Sequence, residues 1–282
     1  MATPLIFDTA NQKAQTFKDE YQNKYPNETP DWSAAYAYDS AMVLIEAMKR
    51  AKITGKPANR QTERQKIREV LSGLLNVHDA PEGTTGFNYF DHNRNAQKPV
   101  AIGVYKNKEI VSALTQFQVM RNPNEITDWD AALQEGRVLE IDDKKMYKTN
   151  VVYTGIKINK ISEFKEENLT FELDFHLWFR FSGNFDPQQL EFLNAIDPDG
   201  IKKQLEKPLE EKEKGQTTYR AYRIKSTFRA DFISTHYAYK QHQLSVSFHH
   251  QSLTRNNLIY VTDVLGMGNT QEMSYELKKI KC

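Results

Sequence analysis

The sequence predicts an α/β segment followed by an antiparallel all-β sandwich. Three observations lead to this. Apolar residues recur at helical spacing through the first 74 or so positions, a hairpin pattern follows near residue 100, and a two-residue alternation takes over from about residue 150. A length of 282 residues corresponds to about two domains.

In the first part, Ala14, Phe17, Tyr21 and Tyr25 fall on one helical face, and Pro26 ends that helix. Ala34, Tyr38, Met42, Ile45 and Met48 form a second stripe, with Asp31 and Ser33 as N-cap candidates and Gly55 and Pro57 marking the exit. Thr62-Glu63-Arg64-Gln65 has the spacing of a capping box, and Ile67, Val70, Leu71 and Leu74 follow on one face. Residues 86–91 read as a strand. Val100, Ile102 and Val104 then alternate, Lys106-Asn107-Lys108 offers a turn, and Ile110 begins the return strand. Residues 119–149 show little periodicity and read as a linker, with a short helix near 129–134.

From residue 150 the period is two. Val152, Thr154, Ile156 and Ile158 share one face. Phe171, Leu173, Phe175, Leu177, Phe179 and Phe181 alternate with Glu172, Asp174, His176, Trp178 and Arg180, as a strand with one buried face requires. Further strands are expected at 189–194, 219–232, 243–248 and 258–261, and a solvated loop or short helix at 202–214. The domain division is thus 1–118, a linker over 119–149, and 150–282.

Composition narrows the function classes. Hydrophobic residues make up 39% and charged residues 27%, as in an ordinary globular protein, and the net charge of +1 creates no field that would favour nucleic acid. The single cysteine, Cys282, precludes an internal disulfide and a cysteine-based metal site. No apolar run approaches the ~20 residues needed to cross a bilayer, and the first residues have no signal-peptide pattern. No phosphate loop, dinucleotide fingerprint or nucleophile elbow occurs. His236, His242, His249 and His250 match no zinc spacing. The expectation is a non-enzymatic protein without cofactor or metal.

Several motifs carry a resemblance. In order they are Phe17-x-x-x-Tyr21, Ala34-Ala35-Tyr36-Ala37-Tyr38-Asp39, Ile67-Arg68-Glu69-x-Leu71, Gly83-Thr84-Thr85-Gly86 leading to Phe90-Asp91, and Lys98-Pro99-Val100-Ala101-Ile102-Gly103. With them, residues 1–118 resemble the C-terminal part of the branched-chain amino acid and amide binding proteins of ABC transporters, the type I periplasmic binding fold. The resemblance implies a small-molecule ligand held between two lobes on the periplasmic side of a bacterial membrane. Most of that family's length lies outside this sequence, so a fragment with an incomplete lobe is expected.

Residues 150 to about 264 are similar to the extracellular domain of prokaryotic pentameric ligand-gated ion channels. The similarity rests on Val152–Ile161, Phe171–Phe181, Tyr222–Phe228 and Gln243–Phe248. It implies a homo-oligomer, a pentamer, reaching a membrane through segments this chain does not carry. Residues 236–242 stand where that family has an aromatic-Pro-aromatic-Asp loop.

Five residues are candidate ligand contacts. Tyr36, Tyr38 and Asp39 sit where solute-binding proteins often begin a cleft-lining helix, and a helix N-terminus with a carboxylate suits the charged ends of an amino acid. Alternatively, Tyr38 belongs to a core stripe and Asp39 is a first-turn acid. Trp178 and Arg180 lie on the strand that, in the channel family, lines the site between subunits. An indole attracts cations and a guanidinium holds a carboxylate, though Trp178 could equally cover a neighbouring layer. The reading is extracytoplasmic sensing of an amino-acid or amide-like solute coupled to a receptor sandwich. The alternative is an assembly module without a ligand.

Overall fold

The computed structural model describes residues 1–106, 109–120, 122–141, 144–233 and 241–263. The chain forms two compact units, Met1–Thr149 and Asn150 onward, and the division falls inside the strand Lys144–Lys165.

In the first unit, helix α1 spans Gln12–Lys24, α2 Trp32–Arg50 and α3 Arg60–Ser72. Asn11 and Asp31 cap the first two, each accepting a hydrogen bond from the backbone N–H three residues on, at 3.0 and 2.9 Å. The stripe expected in the core on α2 is rotated outward. Tyr38, Met42, Ile45 and Met48 are exposed, whereas Ala35, Asp39, Val43 and Ala47 are buried. Three of the buried residues are small, so the helix can sit close to the turn at Thr84, whose hydroxyl oxygen lies 3.2 Å from the Ala35 carbonyl oxygen. Hydropathy favoured the larger side chains; close approach selected the smaller ones. On α1 the aromatic face holds together by ring contacts, Phe17 lying 6.0 Å from Tyr21 and 5.0 Å from Tyr38.

The capping box at Thr62 does not form. The helix begins earlier, at Arg60, and Glu63 turns to the preceding loop, accepting from Thr54 N at 2.8 Å, Thr54 Oγ1 at 2.6 Å and Gly55 N at 3.2 Å. The expected hairpin is present as strands Ala101–Lys106 and Glu109–Ser112, with Ala2–Thr3 added at its edge.

Residues 119–149 are built rather than linking. Strand Thr115–Val119, helix α4 (Trp129–Gln134), strand Val138–Ile141 and the start of the long strand enclose Met120, Ala132, Val138 and Tyr147. A six-residue helix and a four-residue strand are too short to display a period, which is why the sequence reads as irregular there.

The second unit is built on a sheet in the order 210–214, 217–229, 170–181, 150–165, 258–262. Strand Thr170–Phe181 alternates as expected. Phe171, Leu173, Phe175, Leu177, Phe179 and Phe181 are all buried on one face, with Val152, Tyr222, Ile224 and Phe228 from the neighbouring strands. The ladder Leu190–Phe192 with Phe248–His250 packs against that face, Phe192 lying 6.4 Å from Phe228.

Two features depart from an antiparallel all-β sandwich. Helix α5 (Pro198–Leu205) inserts Ile201 and Leu205 into the core. Strand Leu258–Thr262 runs parallel to Asn150–Thr154, because the chain crosses over the core before rejoining the sheet. The charged stretch expected as a solvated loop or short helix divides into α5 and an exposed edge strand, Glu210–Lys214. Charges on an edge oppose further strand pairing. Of the aromatic loop, 236–240 lie outside the described residues.

Candidate functional site

The most organised polar cluster of the first unit centres on Asp39, which is 2% exposed. Its Oδ1 accepts from Thr84 N and Thr84 Oγ1, both at 2.7 Å. Its Oδ2 accepts from Thr85 N at 2.8 Å and Thr85 Oγ1 at 2.5 Å. Burial pushes the Asp39 carboxyl up, but the hydrogen bonds from Thr85 and Thr84 together outweigh it and hold the group below its ordinary value. Gly83 is required beside it, since a Cβ there would fall 2.4 Å from Asp39 Oδ2. Asp39 therefore pins the Gly83–Gly86 turn to α2, and each of its oxygens already accepts two hydrogen bonds.

Behind the turn lies Lys98, whose side chain is 13% exposed. Its Nζ donates to Thr85 Oγ1 at 2.6 Å and to Asn88 Oδ1, lies 3.9 Å from Asp39 Oδ2, and sits 5.7 Å from the centroid of the Tyr36 ring. Desolvation, only partly offset by Asp39, lowers the Lys98 ammonium to about 8. The Tyr36 hydroxyl approaches the Pro4 carbonyl at 3.5 Å, and burial raises it above its ordinary value. Tyr38, by contrast, points outward against Phe17.

Lys98 faces a cavity of about 440 Å³, within the size range of small-molecule sites. Its wall is mainly apolar, with Leu5, Ile6, Phe87, Val100, Phe117 and Met146, and its polar groups include Thr85, Lys98 and Gln116 together with Asn11, Glu82, Gln97, Gln118 and Lys144. Gln116 is itself fixed, accepting from Ile102 N at 2.8 Å and donating to Ile102 O at 2.6 Å.

In the second unit Trp178 and Arg180 lie opposite the phenylalanine face and converge on Asp263. The indole Nε1 donates to Asp263 Oδ2 at 3.0 Å, and Arg180 Nη2 donates to the same oxygen at 3.1 Å. Asp263 is fully buried, Trp178 is 8% exposed and the Arg180 side chain 31%. The indole lies flat on Gly155, where a Cβ would fall 2.1 Å from Trp178 Cε2 and Cζ2, and Ala221 flanks it on the other strand. Arg180 also stacks on Tyr219 at 5.4 Å. His249 is exposed beside Glu191, whereas His250 is buried.

Of the residues expected from the sequence, Tyr36 and Asp39 touch Lys98 but do not line the cavity, and Lys98 and Gln116, which do, were overlooked. The Thr-Thr pair between two glycines, followed by Lys98-Pro99, was the available signal, because a tight turn with paired hydroxyls invites a buried carboxylate partner. Asp263 was overlooked as well. Gly155 inside a strand pattern was the sign of a close approach there.

Residues 1–109 match the family described as periplasmic binding proteins. No curated protein matches the chain. Among solved structures, the leucine-binding protein of Thermotoga maritima is similar at 26% identity, with a TM-score of 0.31 and coverage of 44% of this chain and 31% of that one. The chain thus spans less than a third of that protein's length. The family match lies within the first unit and does not bear on the channel-like resemblance. Residues 1–109 share their sequence pattern with periplasmic binding proteins, which hold solutes and do not transform them.

Proposed function

We propose that this chain binds a small organic solute, of amino-acid or amide size, on the extracytoplasmic side of a membrane, and does no chemistry on it. The observation that carries this reading is that the segment matching periplasmic binding proteins supplies most of the wall of the cavity. Lys98 and Gln116 are fixed polar groups in it, Asp39 supports Lys98 from behind, and Tyr36 flanks the ammonium.

The test is a calorimetric and thermal-shift panel of amino acids, amides and carboxylic acids on the whole chain. At least one compound should bind, and Val100→Trp, which fills the cavity from an exposed wall position, should abolish its binding. No binding by any compound, or unchanged binding in Val100→Trp, would overturn the reading.

The finer reading couples binding to a channel-like receptor assembly through the second unit; Arg180 remains partly exposed for a contact between subunits, whereas Trp178 is buried against Gly155 and Asp263 and is withdrawn as a ligand contact. Its support is the resemblance of 150–264 alone. Sedimentation showing a monomer at every concentration, with and without solute, would remove both this reading and the alternative of a pure assembly module.

A further inference from the structure

The charge and hydrogen-bonding state of the cavity defines a narrower ligand class than amino acids at large. This deepens, and rests on, the solute-binding reading above. Lys98 Nζ carries three N–H donors. Two are engaged, by Thr85 Oγ1 and Asn88 Oδ1, and Asp39 Oδ2 at 3.9 Å is beyond hydrogen-bond reach, so one donor has no hydrogen-bond acceptor among the described residues.

The acceptors around the ammonium are held in one orientation. The Thr85 hydroxyl donates to Asp39 and so accepts from Lys98. The Asn88 amide donates to the carbonyls of Pro81 at 3.2 Å and Gly86 at 3.3 Å, which presents its oxygen to Lys98. A buried ammonium fixed in this way, with Asp39 as an ion-pair partner at 3.9 Å that it does not reach by a hydrogen bond, has a donor to spare for a ligand anion. Its lowered affinity for a proton has the same origin, because desolvation outweighs the attraction of Asp39.

A zwitterionic solute would also need an anion for its α-ammonium. Both oxygens of Asp39 each already accept two hydrogen bonds and lie behind the turn. The one carboxylate in the cavity wall, Glu82, is exposed and is held by Asn11 Nδ2 at 3.1 Å. The rest of the wall is mainly apolar, and its one other charged side chain, Lys144, is also a cation.

We infer that the cavity prefers an apolar monocarboxylate over a zwitterionic amino acid or a neutral amide, with the remaining N–H of Lys98 donating to the ligand carboxylate. Binding then raises the proton affinity of Lys98, so complex formation near pH 8 takes up protons from solvent.

The experiment is titration calorimetry of the whole chain with 4-methylpentanoate, 4-methylpentanamide, leucine and leucinamide, in buffers of different ionisation enthalpy. The carboxylate should bind best, by about tenfold or more, as for a charge-assisted hydrogen bond. Its affinity should fall by about tenfold per pH unit above about 8. Lys98→Met should lose the affinity and its pH dependence with the circular dichroism spectrum unchanged. If Lys98→Met does not fold, the proton uptake of the unaltered protein decides the matter. Leucine or either amide binding as tightly as 4-methylpentanoate overturns this inference and leaves the solute-binding reading standing. So does carboxylate binding without proton uptake near pH 8. Failure of all four to bind overturns this inference, while the wider panel decides the solute-binding reading.

Discussion

Replacing Asp39 by asparagine separates a structural role for this residue from a ligand-contacting one. Asparagine keeps the shape but turns one of the two oxygens into an NH₂ group. That group would face the Thr85 N–H, a buried donor at 2.8 Å, and leave it without an acceptor. An unsatisfied buried donor costs about 1–3 kcal/mol, and reducing the remaining charge-assisted bonds to neutral ones removes about 1 kcal/mol each, so the loss should be about 3–5 kcal/mol. Against a total stability of about 5–15 kcal/mol, this is a large fraction for the first unit. Asp39 also supports the Lys98 proton, so Lys98 in the variant should titrate below its present value of about 8. Urea unfolding followed by circular dichroism gives the first quantity, and nitrogen NMR of the lysine ammonium gives the second. A variant that loses solute binding while its stability changes by less than about 1 kcal/mol would refute the argument and return Asp39 to the ligand.

Other consequences follow from the same geometry. Lys98 in the folded chain gives up its proton near 8, against 10.5 when unfolded, so its burial penalty is fully present below about 8 and fades as pH rises to 10.5. Lys98→Met should flatten this part of the stability–pH curve by about 3 kcal/mol, measured by denaturant titration at several pH values. Gly155→Ala drives a methyl into the Trp178 indole and should destabilise the second unit by about 1–3 kcal/mol, with an altered near-ultraviolet dichroism band. Phe175→Ala empties the centre of the phenylalanine face and should cost about 3–5 kcal/mol by the same assay. His250 is held neutral by burial, and its Nδ1 accepts from Leu253 N at 3.1 Å. The stability it contributes is therefore present above its unfolded value of 6.5 and is lost as pH falls through its lowered folded value, so His250→Gln should weaken the acid-induced loss.

The chain itself determined those features whose cause is local. Alternation from Phe171 to Phe181 specifies a one-faced strand whatever surrounds it, because successive side chains leave a strand on opposite sides. Asp31 selects the start of α2 because its carboxylate reaches a backbone N–H three residues on. Tertiary structure decided what depends on partners distant in sequence. On α2 both Ala35-Asp39-Val43-Ala47 and Tyr38-Met42-Ile45-Met48 have helical spacing, and the close seat of the Thr84–Thr85 turn turned the small stripe inward. The crossover to Leu258–Thr262 and the insertion of Ile201 and Leu205 likewise depend on which surfaces meet. The cavity is of the same kind. Lys98 owes its lowered proton affinity to burial and its fixed orientation to Thr85 and Asn88, which lie ten or more positions away along the chain, and geometry of that kind exists only once the turn has docked on the helix.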